Sequence, residues 1–117
     1  MAKSSEPTLS QQVVRSLLAR KEKGIPKAVR EKTLLHIVDE IGAALAARVG
    51  APAAPEAMQA LHVGSNGGKC QVIGGGDGLP PAFAAFVNSA FCHAMDFDDI
   101  HDKCHVHVTS TTFPAAL

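Results

Sequence analysis

Tryptophan and tyrosine are both missing from this chain of 117 residues, which has five phenylalanines. Hydrophobic residues make up 46% of it, but alanine is the most frequent of them, so the apolar area available to a core is smaller than that fraction suggests. An excess of charge is also missing: eleven Lys and Arg balance eleven Asp and Glu, for a formal net charge of zero. That removes the electrostatic footprint of a nucleic-acid binder. Cysteine is sparse and odd in number; Cys70, Cys92 and Cys104 form no C-x-x-C pair and are preceded by no secretory signal, so they read as free thiols. No apolar run approaches the roughly 18 residues of a membrane span, and the first residues contain no continuous apolar stretch of a leader. A cytoplasmic protein without membrane or nucleic-acid partners is expected.

The length fits one domain, and the patterning within it is helical. Residues 1–7 read as a disordered N-terminus. From 8 to 23, Leu9, Val13, Val14, Leu17 and Leu18 fall on one stripe, with Thr8 as N-cap, Gln11 three residues later and Gly24 as stop. A second helix is expected from Pro26 at a first helical position to Gly50, with Leu34, Ile37, Val38, Ile41, Leu45 and Val49 as its apolar stripe. "APAAPEAMQALHVG" allows a third, ending at Gly64. At most one short strand, near Cys70–Ile73, lies between two glycine clusters. The stretch "VIGGGDG" has neither G-x-G-x-x-G nor G-K-[ST] spacing, so it reads as an ordinary connection rather than a phosphate cradle. A further helix is expected over 82–96, burying Phe83, Phe86, Val87, Ala90 and Phe91. In "TSTTFPAAL" the pattern predicts a helix that opens at Pro114 and stops after three residues, too short to repay nucleation, so a partial polypeptide is expected.

Chemistry concentrates in "NSAFCHAMDFDDIHDKCHVH", residues 88–107, which holds four aspartates and four histidines. A metal reading draws on His101, Cys104, His105 and His107 with Asp96, Asp98 and Asp99 as further donors, but the spacing matches no structural zinc pattern. No metal is expected. A solvated helix end is disfavoured because carboxylates at a helix C-terminus oppose the macrodipole, at roughly 0.3–1 kcal/mol each. An acid/base reading uses the spacing of His93, Asp96 and Asp99 along one helical face, with His107 folding back from beyond it. A carboxylate beside an imidazole fixes its tautomer and raises its basicity, as removal of a carbon-bound proton requires.

These residues resemble the MmgE/PrpD family. "AAFVNSAFCHAMDFDD" is similar to the family's A-A-x-x-N-x-x-x-x-H-x-x-D-x-D-D signature, and "HVTSTTFPAAL" to its H-P-S-x-x-x-x-P segment, with Val108 standing where the family has proline. "IPKAVREKTLLHIVDEIGAALA", including Asp39 and Gly42, looks like its early helix, and "CQVIGGGDGLPP" fits the connection that follows. The resemblance covers nearly everything from about residue 10. It implies an all-α fold: residues 8–117 as part of the N-terminal helical portion of the family's large domain. It also implies a lyase, hydratase or epimerase acting on a small di- or tricarboxylate without a cofactor, usually as a homodimer. Carried over by position, Asp96 and His107 are the catalytic candidates, with His105 the competing histidine. Asn88, His93, Asp98 and Asp99 match framework positions, and His101, Lys103 and His105 are possible supporting or substrate-binding groups.

Overall fold

The computed structural model describes residues 6–52, 67–76 and 78–117, with Glu56, Gln59 and Val63. It divides into two compact units, Met1–Thr33 and Leu34–Leu117. Among the described residues there are four principal helices: α1 (Leu9–Lys23), α2 (Lys27–Gly50), α3 (Pro81–His93) and α4 (Val108–Ala116). No strand forms among them; Cys70 and Leu79 make a single antiparallel bridge, so the expected strand is reduced to one pair. None of these helices is long and apolar enough to cross a membrane. The third helix expected before Gly64 and the N-terminal tail fall largely outside the described residues.

In the first unit, α1 begins with the capping box that the sequence encodes. The Thr8 hydroxyl accepts the Gln11 amide at 3.3 Å while the Gln11 side chain accepts the Thr8 amide at 3.0 Å, satisfying two N–H groups that the first turn leaves without helical partners. Arg20, Lys21 and Lys23 in its last turn suit the negative end of the helix dipole, and Gly24 ends it at φ 74°. The apolar stripe of α1 is solvent-facing throughout.

The second unit carries the core. Helix α2 presents Glu40, Ala44 and Ala47 inward, a face of residues four and three apart, while its larger apolar residues Leu34, Val38, Leu45 and Val49 are exposed. The expected buried stripe is therefore corrected: a face of small side chains lets the backbone approach closely, and it is this face that meets α3. There the Cys92 thiol donates to the main-chain carbonyl of Glu40 at 3.7 Å. Ala44, Ala47 and Ala51 join Val72, Leu79, Ala84, Val87, Phe91 and Cys92 in one cluster.

Helix α3 starts at Pro81, whose missing N–H costs nothing in a first turn. It ends at His93, three residues short of the expected boundary, because Asp96 adopts a left-handed φ of 55°. Ala84, Val87, Asn88, Phe91 and Cys92 are its buried face; Phe83 and Phe86, expected inside, are exposed, Phe86 to 72%. Between α2 and α3 the glycine-rich connection is held in part through its carbonyls. The Arg48 guanidinium donates to the Ile73 and Gly75 carbonyls at 3.0 and 2.9 Å and lies 5.7 Å from the centroid of the Phe91 ring. Gly68 passes so close to the Leu79 backbone that a Cβ there would overlap it.

Helix α4 starts six residues earlier than Pro114, which sits inside it. A proline cannot supply the N–H that the Ser110 carbonyl would accept four residues back. The Ser89 hydroxyl of α3 donates to that carbonyl instead, at 2.6 Å. The proline is tolerated, and the vacant acceptor ties α4 to α3.

Candidate active site

Three elements position the polar cluster. Asn88, almost wholly buried, accepts the Ile73 amide at 2.8 Å and donates to the Gln71 carbonyl at 3.1 Å. It clamps the connection to α3 and takes no part in the cluster itself. Asp99 accepts the Thr109 amide at 3.0 Å, capping α4 from ten residues upstream, since the N-cap residue His107 makes no side-chain cap. That places His107 at the junction of loop and helix, opposite the last turn of α3.

There the His93 and His107 rings meet edge to face, with centroids 4.5 Å apart. Both turn Nδ1 toward the carboxylate of Asp98. His93 Nδ1 lies 3.0 Å from Oδ1 and 3.1 Å from Oδ2, within hydrogen-bond geometry. His107 Nδ1 lies 3.1 Å from Oδ2 but outside hydrogen-bond alignment, and this enclosed nitrogen has no directed partner among the described residues. Asp96 stands on the other side: its Oδ1 is 3.9 Å from His107 Nε2, and its side chain is 82% exposed, against 0% for Asp98.

The electrostatics separate the carboxylates. Burial alone would raise the Asp98 carboxyl, but hydrogen bonds from Ser110 and His93, with the charge of His93, outweigh it and hold Asp98 below 3.8. Asp99 is likewise lowered, since its bonds to Thr109 exceed the cost of its burial. Glu40 moves the other way. Its burial, reinforced by the charges of Asp98 and Asp99, pushes its carboxyl up, and neither oxygen has a hydrogen-bond partner among the described residues. Burial, with Glu40 next in weight, pushes the neighbouring Cys92 thiol up to about 12. Burial thus moves Glu40 and Cys92 in one direction while hydrogen bonds move Asp98 and Asp99 in the other.

A cavity of about 460 Å³ opens beside the two imidazoles, with Ser89 and His93 from α3, His105 and His107 from the loop, and Ser110 and Thr111 from α4 among its lining. Phe86, Ala90 and Val106 add apolar wall. Its volume suits a small molecule.

The structure thus brings together His93, Asp96, Asp98 and His107. It does not align His93, Asp96 and Asp99 on one helical face, because the helix has ended before Asp96. His101 pairs with Val106 through the backbone, with its Nδ1 3.2 Å from Cys104 Sγ in an exposed turn. Lys103 is exposed in the same turn. His105 reaches the cavity wall from a left-handed φ of 51°. Sequence reasoning missed Glu40, Ser89 and Ser110. For Glu40 the signal was its place on the alanine face of α2; Asp39, the acidic residue picked out by the family resemblance, is exposed.

The chain belongs to the MmgE/PrpD family: the model of the MmgE/PrpD N-terminal domain matches residues 13–117. It is 39% identical over 94 residues to the cis-aconitate decarboxylase of Aspergillus terreus, and equally so to that of strain NIH 2624 / FGSC A1156. Those alignments cover 80% of this chain and 19% of each relative, so the chain spans under a fifth of their length. No solved structure gives a significant match.

Proposed function

We propose that this chain carries part of the active site of a lyase, hydratase or epimerase that moves a proton at a carbon next to a carboxylate of a small di- or tricarboxylate. The observation that carries this reading is the arrangement of His107. It lines the cavity, turns Nδ1 toward a buried, readily ionised carboxylate and leaves Nε2 nearest the exposed Asp96. With Nδ1 protonated and turned toward Asp98, Nε2 carries the lone pair that would accept the proton. Once protonated, His107 is an acid, and Asp96 is close enough to share the proton through a small side-chain movement. Asp98 is the orienting carboxylate. His93, bonded to the other oxygen of Asp98, holds that carboxylate in place. Removing a proton beside a carboxylate leaves enediolate-like charge, which needs cationic or hydrogen-bonding groups beyond those gathered here. The family relation and the relative named a decarboxylase support carboxylate chemistry. A cytoplasmic homodimer acting without a cofactor is the setting we propose.

The test uses a full-length family member. Replacing the residues that correspond to His107 by Ala and to Asp96 by Asn should each lower kcat by at least about 10²-fold, the usual scale of an acid/base contribution. His101→Ala should do far less. Solvent-deuterium exchange at the substrate carbon reads the proton step directly, and wild-type exchange in the His107 variant would sink the assignment. A second reading, an inactive helical piece of such an enzyme, is favoured by the exposed apolar faces of α1 and α2. It predicts no turnover of any polycarboxylate by the 117-residue chain.

A further inference from the structure

We infer that His93, Asp98 and His107, with Asp96 as a fourth donor, form a binding site for a borderline divalent metal ion of the zinc type. One ligand atom from each of the four lies within 4.8 Å of all the others. In tetrahedral zinc, ligand distances near 2.0–2.2 Å place donors about 3.3 Å apart. Two of the separations already lie close to that value: 3.1 Å from His93 Nδ1 and 3.1 Å from His107 Nδ1 to the same Asp98 oxygen, Oδ2. Asp96 must swing inward to complete the shell, and its exposed side chain is free to do so. The other ligands need only small rotations.

Two features make this a site rather than a chance grouping. The enclosed Nδ1 of His107 has no directed hydrogen-bond partner, so a metal ion would give it one at no loss to an existing bond. The Asp98 carboxylate is fully buried, and it lies between two imidazole nitrogens, each about 3 Å away. Two nitrogens with two carboxylates select zinc-like ions over magnesium or calcium, which prefer all-oxygen shells. The ion would occupy the nitrogen that the acid/base reading assigns to orientation and draw Asp96 away from Nε2. Zinc is therefore an inhibitor of this site, not its cofactor. Only this last consequence rests on the proposed function; the binding itself does not.

The binding experiment uses the tag-free 117-residue chain and competition for zinc against a chromogenic chelator. One equivalent should bind, and His93→Ala, His107→Ala and Asp98→Asn should each weaken it by at least about 10-fold, in the range that loss of well-placed metal partners produces. The double variant H101A/C104A should bind as the parent does, with circular dichroism confirming helix content in every variant. Cobalt on the unsubstituted chain supplies a readout independent of any variant: a tetrahedral nitrogen and oxygen spectrum without a thiolate charge-transfer band. A thiolate band, substoichiometric binding, or affinity lost in H101A/C104A but kept in the histidine and Asp98 variants would overturn the site. Zinc binding as described, with catalysis in a full-length relative unaffected by zinc, would leave the site standing and sink the acid/base role of His107.

Discussion

Alkylation should separate the three thiols by a margin that the structure sets in advance. Cys92 is completely buried, and burial pushes its thiol up to about 12 from an ordinary value near 9. At pH 8 that shift alone lowers the thiolate fraction about a thousandfold, from about one in ten to about one in ten thousand, and thiolate is the reacting species. Burial slows Cys92 further, so its modification must wait for α2 and α3 to part. Cys104, exposed in the turn beside His101, should react first. The assay is a time course with iodoacetamide, followed by peptide mass analysis, with a parallel series in concentrated guanidinium in which the three rates converge. The residual rate at Cys92 then measures how often the α2–α3 seam opens. Native rates for Cys92 and Cys104 within about tenfold of one another would show that the seam does not form in solution. The argument for an alanine-lined core would then fail.

Glu40→Met should raise the melting temperature, and more so at neutral pH than near pH 4.5. The folded pKa of Glu40 lies above its unfolded value, so its contribution is fully present below about 4.5 and is lost as pH rises through the folded pKa, at up to about 1.4 kcal/mol per unit. An equal gain at both pH values would contradict this. Asn88→Ala leaves the Ile73 amide and the Gln71 carbonyl without their partners, at about 1–3 kcal/mol for two part-buried hydrogen bonds; protection of the Ile73 amide in hydrogen exchange should collapse with it. Ser89→Ala should cost about 1–2 kcal/mol in a wild-type background and nearly nothing beside Pro114→Ala, where the new N–H can take the Ser110 carbonyl. A double-mutant cycle in urea measures that coupling, and strictly additive effects would argue against it.

The existence of the helices was legible in the sequence, down to the capping box at Thr8, because those signals are local. Which face turns inward was not. Large apolar residues on α2 suggested a buried stripe, but the close approach of Phe91 and Cys92 requires small side chains opposite them, so Ala44 and Ala47 take the inside. The candidate site was legible as a segment, and His107 and Asp96 do come near one another. Their geometry was not, because a left-handed turn at Asp96 breaks the three-residue spacing on which the reading relied. That turn lets Asp98, treated as framework, reach the imidazoles. The start of α4 was missed because its cap, Asp99, is supplied from a distance, and because Pro114 looks like a beginning when its missing N–H is compensated by another helix.

That compensation makes the absence of one hydrogen atom in α4 a matter of inheritance for α3. While position 114 is proline, the Ser110 carbonyl depends on a hydroxyl donated at position 89, and a lineage that loses the hydroxyl first passes through a less stable intermediate. One that first replaces the proline does not, since the helix then serves its own carbonyl and the serine becomes dispensable. Drift through this pair should therefore be directional. Natural relatives should include chains with neither residue and chains with an unneeded serine, but few that keep the proline without a donor opposite it.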